Sequence, residues 1–172
     1  LPGDGETSTG RALAAWHGCG QPVVLTLRQL VREPPRLDAQ PVFVCENPVV
    51  VSTAADQLGA GCAALICTAG QPGAAAMHLL RLLARAGTEL RFHGDFDWGG
   101  LRIGNLLVDR LPARPWRFGS ADYLAAASRG RQLVGRPVAA RWDAALGTAM
   151  RETGVAVEEE HVIDDLLHDL SR

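Results

Sequence analysis

The sequence predicts an α/β fold: a mostly parallel sheet with helices on both faces, continued by a helical C-terminal extension. Two observations carry this. Short apolar, β-rich runs alternate with longer helical patterns through the middle of the chain, and the turns between them are short. Parallel strands need such crossovers, which are right-handed. A third observation concerns position. Acidic residues stand where two of these strands end, and working residues of open α/β sheets collect at the carboxyl ends of the strands.

Each element has its own signal. Residues 11–17 form a helical pattern, 23–25 a short strand, and Thr26 opens another helix. Residues 41–45 make an apolar strand that ends at Glu46, Asn47 and Pro48; Asn47 caps the next helix and Pro48 fits its first turn, with Gly59 as the stop. Residues 63–67 are a buried strand leading into the turn 68–73. Residues 74–86 are a helix with Met77, Leu80 and Leu83 at helical spacing and Gly87 as its stop. Residues 89–93 form a third strand, 101–111 a helix closed by Pro112, and 116–118 a fourth short strand. Helices follow at 121–128, 142–153 and 158–170. The chain thus divides into an N-terminal flank at 1–40, an α/β core at 41–120 and a mostly helical extension at 121–172.

Composition narrows the class. Of 172 residues, 47% are hydrophobic and 21% charged, which suits a packed core and not a disordered chain. No apolar run reaches the roughly 18 residues that span a bilayer, so a soluble, cytoplasmic protein with no membrane partner is expected. The first residue is Leu and no basic-then-apolar leader precedes the fold, as in the C-terminal piece of a longer protein. Net charge is −2, so no global basic field points to nucleic acid. All 17 basic residues are Arg, which suits phosphate contact and is also the mark of GC-rich coding. Cys19, Cys45, Cys62 and Cys67 form no CxxC pair, so zinc is not expected and reduced thiols are.

The chemistry concentrates in Asp95-Phe96-Asp97. On an extended strand both carboxylates share one face while Phe96 turns to the core. With Glu46 at the end of a neighbouring strand, three carboxylates converge. Two carboxylates about 5 Å apart repel by roughly 3 kcal/mol at an effective dielectric near 20, so such a cluster calls for a cation or a proton. Oxygen ligands without His or Cys suit Mg²⁺ or Mn²⁺, the apparatus of phosphodiester chemistry. The bland alternative is a turn plus a helix cap. Gly94, Gly99 and Gly100 permit close backbone approach around the acids. The turn at 68–73, with Gly70 and Gln71, is a second candidate phosphate cradle.

These motifs (Val42 to Pro48, Cys67 to Pro72, and His93 to Ile103) together resemble a Toprim domain, a Rossmann-like α/β sheet. They look most like the Toprim domain of the JetD-type nuclease subunit of Wadjet plasmid-defence systems. A more distant similarity is to the Toprim-bearing chain of topoisomerase VI and its meiotic relative. The likeness covers about residues 23–118. It implies a DNA endonuclease in which Glu46 acts as general acid/base or metal ligand while Asp95 and Asp97 hold Mg²⁺ (or Mn²⁺). The implied partners are double-stranded plasmid DNA and a condensin-like SMC complex, and a homodimer would suit cleavage of both strands. Topoisomerase VI relatives cleave through a Tyr. The single Tyr here, Tyr123, lies in an Ala-rich helix and is read as structural, which favours a hydrolytic route.

Further candidates have two readings each. Glu158 and Glu160, in a tail resembling an acidic JetD motif, are extra ligands or a solvated first helical turn. His93, two residues before Asp95, would share its face on a strand and contact phosphate or move a proton, or it is structural. Asn47 orients Glu46 or only caps a helix, and Arg102 meets DNA or is a surface Arg. The alternative function is a non-catalytic Toprim-like module that binds DNA or docks on an SMC partner. A nucleotide-binding enzyme is a third reading, disfavoured because the chain has no Lys for a P-loop and no GxGxxG turn.

Overall fold

Four strands, β1 (Val42–Cys45), β2 (Leu65–Cys67), β3 (Leu90–Phe92) and β4 (Ala113–Pro115), form one all-parallel sheet in the order β2-β1-β3-β4 in the computed structural model. The structure describes residues 5–36 and 40–171; residues 1–4, 37–39 and 172 of the flank and the extension lie outside the described residues. The α/β fold class read from the sequence is the one observed. β1 is buried along its whole length, as a central strand covered on both faces must be.

Each crossover carries a helix: α3 (Pro48–Leu58), α4 (Ala74–Arg85) and α5 (Trp98–Arg110). The chain leaves β1 toward β2, then returns past β1 to β3. Right-handed connections therefore put α3 on one face and α4 and α5 on the other. α1 (Ser8–Gly18) and α2 (Leu27–Arg32) precede the sheet, α2 packing on α4. After β4 come α6 (Ser120–Ala126), the short antiparallel pair β5 (Arg131–Gln132) and β6 (Val155–Ala156), α7 (Leu146–Thr153) and α8 (Ile163–Leu170). α8 packs on α3, and one buried cluster takes in residues from Leu30 to Leu170. Among the described residues no helix is long and apolar enough to cross a membrane.

Local chemistry sets the helix starts. Thr26 and Gln29 make a reciprocal capping box on α2, and Asn47 accepts from the Val49 amide at 3.0 Å ahead of Pro48. α5 begins at Trp98, three residues before its expected start, because Asp97 caps it through the Gly100 amide at 2.8 Å.

Four expected elements differ. Residues 23–25 form no strand: Val24 is 89% exposed, and a β-branched run without a partner edge gains nothing from extension. The fourth strand lies at Ala113–Pro115 instead of 116–118. Trp116 still donates to the Phe92 carbonyl at 2.7 Å, but Arg117 adopts a positive φ of 46° and ends the ladder. Pro115 is tolerated because β4 is an edge. The helix expected at 142–153 starts only at Leu146, since the Asp143 carboxylate instead takes the Ser120 and Ala145 amides. The helix expected at 158–170 is broken: Glu159–Val162 is a 3₁₀ turn ahead of α8.

Candidate functional site

The chain reverses direction across the sheet between β1 and β3, and that switch point is where open α/β sheets place their ligands. Glu46 follows β1 directly. Asp95 and Asp97 follow β3 in the connection to α5. The connection is held by the C-terminal segment: Phe96 and Val157 exchange backbone hydrogen bonds at 2.8 and 3.2 Å in an antiparallel bridge. Phe96 is 1% exposed and packs on Phe118 and Tyr123, so its two acidic neighbours face the other way, half-buried.

Glu46 reaches over the end of β3. Its Oε2 accepts the Asp95 amide at 3.3 Å, and a Cβ on Gly94 would stand 3.0 Å from the same oxygen. Gly100 is more constrained still, since a Cβ there would lie 2.0 Å from the Asp95 carbonyl oxygen. Burial, then the Asp95 charge, pushes the Glu46 carboxyl up to about 7. Burial also pushes Asp95 up to about 6, against the Glu159 amide that bonds its Oδ1 at 2.9 Å, with the Asp97 charge adding to the rise. Neither acid forms an ion pair among the described residues.

The three carboxylates share one end of the sheet, where the charges of Asp95 and Asp97 both act on Glu46. Among the described residues no three His, Cys, Asp or Glu side chains form a ready-made cation cage. The physical reason is local: one oxygen of Asp97 caps α5 and one of Asp95 holds the Glu159 amide. The donor chemistry nonetheless fits a hard cation, with oxygens only; the guanidinium whose charge reaches Asp95 and Asp97, that of Arg131, is hydrogen-bonded to Glu158.

The other candidates separate clearly. Glu158 pairs with Arg131 at 2.7 Å. Glu160 accepts from the Asn47 side-chain amide at 2.8 Å, while the Asn47 oxygen caps α3, so Asn47 links the tail to the helix and does not hydrogen-bond the Glu46 carboxylate. His93 does not join the acids, a correction to its expected shared face. It is 1% exposed, its Nδ1 lies 2.9 Å from the Trp116 carbonyl, and Phe96, Trp116 and Phe118 enclose it. Burial holds it neutral, down at about 4.

In the turn after β2, the amides of Thr68, Ala69 and Gly70 bond the Cys45 carbonyl, the Cys67 sulfur and the Glu46 carbonyl, so they brace the strand ends and are not free to cradle a phosphate. Gln71 is exposed. Arg102 is exposed on α5, forms no ion pair among the described residues, and touches only the Arg136 carbonyl at 3.4 Å. Tyr123 is fully buried with its hydroxyl on the Val155 carbonyl at 2.7 Å, a structural role as read from the sequence. A cavity of about 710 Å³ lies between the segment at 20–25, α3, β2 and α4, and none of the three acids lines it.

One residue escapes the sequence reading. Glu159, between the acidic candidates Glu158 and Glu160, is 0% exposed and carries its carboxylate to the turn after β1. Burial pushes that carboxyl up to about 9, against the amides it accepts. A Glu flanked by two others gives no local signal of burial; the break of the expected helix at 159 is the feature that could reveal it.

No curated protein matches the chain. A family model described as "Protein of unknown function C-terminus (DUF2399)" matches residues 23–170, nearly the whole of the sequence, and this chain belongs to that family.

Proposed function

We propose that this chain is a Toprim-type, Mg²⁺-dependent DNA endonuclease domain of the JetD kind, working in a bacterial plasmid-defence complex of SMC type. The observation that carries the reading is the pairing of Glu46 with Asp95 at the switch point of the sheet: two half-buried acids, tied by the Asp95 amide on Glu46 Oε2, neither of which forms an ion pair among the described residues. The spacing of the three motifs and the 2-1-3-4 strand order support it.

Asp95 and Asp97 are the residues that would hold the ion. Two carboxylates completed by water and a substrate phosphate are a common Mg²⁺ arrangement, so a preformed cage is not required. Bound there, Mg²⁺ or Mn²⁺ supplies Lewis-acid stabilisation of the charge on a phosphate. Glu46, whose carboxyl sits at about 7, is poised to take a proton from an attacking water at its Oε atoms near neutral pH. Asp97 orients the first turn of α5, whose N-terminal amides face the phosphate side. Arg102, one turn on, meets the DNA backbone. With a net charge of −2, tight DNA binding by this chain alone is not expected, and an SMC-type partner presents the double-stranded plasmid.

Supercoiled-plasmid cleavage with Mg²⁺ or Mn²⁺ tests this, using the full-length protein with its SMC partner. Asp95→Asn and Asp97→Asn are each expected to lower the rate at least about a thousandfold, on the order of 4 kcal/mol of transition-state stabilisation. Cleavage that persists in either variant, or in EDTA, refutes the assignment.

A further inference from the structure

Glu159 is joined to both acid-bearing ends of the sheet at once. Its carboxylate accepts the Glu46 amide at 3.1 Å through both oxygens and the Asn47 amide at 2.5 Å. Its own backbone amide donates to Asp95 Oδ1 at 2.9 Å, and the Asp95 amide donates to Glu46 Oε2 at 3.3 Å. The three residues therefore close a ring of hydrogen bonds that runs from Glu46 to Glu159, to Asp95, and back to Glu46. The turn bearing Glu159 is itself pinned from outside: Glu158 on Arg131, Glu160 on the Asn47 side chain, Val157 on Phe96.

We propose that Glu159 is a positioning residue, which fixes the Glu46 and Asp95 carboxylates relative to each other by tying the end of β1 to the β3–α5 connection. Satisfying two backbone amides does not by itself call for an ionisable group at this position. An apolar side chain fills a 0%-exposed position without desolvating a carboxyl, and Glu159 forms no ion pair among the described residues. What the carboxylate provides that an apolar group cannot is two acceptor oxygens on a side chain of the right reach, aimed at the amides of Glu46 and Asn47. Groups that orient the direct ligands of a metal through hydrogen bonds typically change affinity or activity 10- to 100-fold when lost.

The metal part of this inference rests on the function proposed above; the hydrogen-bond ring does not. Two substitutions separate the reach of the side chain from the carboxyl itself. Glu159→Gln keeps the reach and an acceptor oxygen but replaces the carboxyl. Glu159→Asp keeps the carboxyl but is one methylene short. In the full-length protein, hydrogen–deuterium exchange read by mass spectrometry reports the Glu46 and Asn47 amides, and electron paramagnetic resonance reports Mn²⁺ affinity. Glu159→Gln is expected to stay within about threefold of wild type in both. Glu159→Asp is expected to speed exchange at residues 46–47, and to weaken Mn²⁺, by about tenfold or more each. A Gln variant as impaired as the Asp variant, or an Asp variant indistinguishable from wild type, overturns the proposal. If wild type binds no Mn²⁺, the metal reading fails and the exchange rates alone decide the role of Glu159.

Discussion

Two carboxylate clusters lie near the same sheet and are built on opposite terms. At the β4 corner, Asp169 takes Nε and Nη2 of Arg117 at 2.6 and 2.7 Å and Nε1 of Trp116 at 2.8 Å, and the guanidinium holds its carboxyl below the usual Asp range. At the switch point, Glu46 and Asp95 lie side by side with no ion pair among the described residues; burial drives both upward, with the Asp95 charge adding on Glu46 and the Asp97 charge on Asp95. A bidentate Arg–carboxylate pair is what a chain uses to close a corner. An uncompensated acid pair works against folding, and chains retain one where a ligand completes it.

The sharpest way to break that comparison is to neutralise one acid on each side. Asp169→Asn removes half of the Arg117 fork and is expected to cost about 1–2 kcal/mol of stability while cleavage stays within severalfold of wild type. Asp95→Asn is expected to do the reverse, abolishing cleavage while leaving the metal-free melting temperature level or raised. Melting curves and plasmid cleavage on the same two variants decide it. An Asp95→Asn protein that melts lower than Asp169→Asn makes the acid pair structural.

How much of this was legible in the sequence follows from how local each contact is. Glu46 and Asp95 could be placed because one directly follows a short apolar run and the other stands just past the end of another, and strand ends gather on one side of a parallel sheet. The Asp97 cap was legible too, as one of the two readings of the motif, and the structure shows it in full. Glu159 was not legible, because its partners lie 112 and 113 residues away and nothing in a Glu-Glu-Glu run distinguishes the inward side chain. Trp116 and Phe118 signalled burial correctly and strand wrongly: they wall the pocket around His93, and the left-handed Arg117 between them follows from the fork to Asp169, a contact 52 residues away. His93 was misplaced for a related reason. Alternation along an ideal strand puts it beside Asp95, but β3 ends at Phe92 and the backbone turns before the acids.

The two clusters also carry opposite pH signatures. The folded carboxyls of Asp95, Glu46 and Glu159 lie at about 6, 7 and 9, above their ordinary values, so their contribution is fully present below about pH 4 and is lost as pH rises through those values. Asp169 is shifted the other way; its contribution is present above its ordinary range and is lost as pH falls through its depressed value. In EDTA at fixed ionic strength, the melting temperature is therefore expected to fall between pH 5 and 9. Glu46→Gln with Asp95→Asn is expected to flatten that slope. A melting temperature that climbs across this window contradicts the environment assigned to the acids.

The smallest expected effect isolates the proposed cation. An ion that binds only the folded chain stabilises it by RT ln(1 + [L]/Kd), about 2.7 kcal/mol at a hundredfold excess over Kd and less nearer to it. Because the ion competes with protons for Asp95, its benefit is expected to be larger at pH 8 than at pH 5.5, where that acid is largely protonated. Adding Mg²⁺ to the metal-free protein at each pH, and following the melting temperature, reads this directly. Asp169→Asn leaves the difference between the two pH values intact, since Arg117 already neutralises that corner, whereas Asp95→Asn removes it. Equal Mg²⁺ shifts at both pH values in wild type place the ion somewhere other than on these acids.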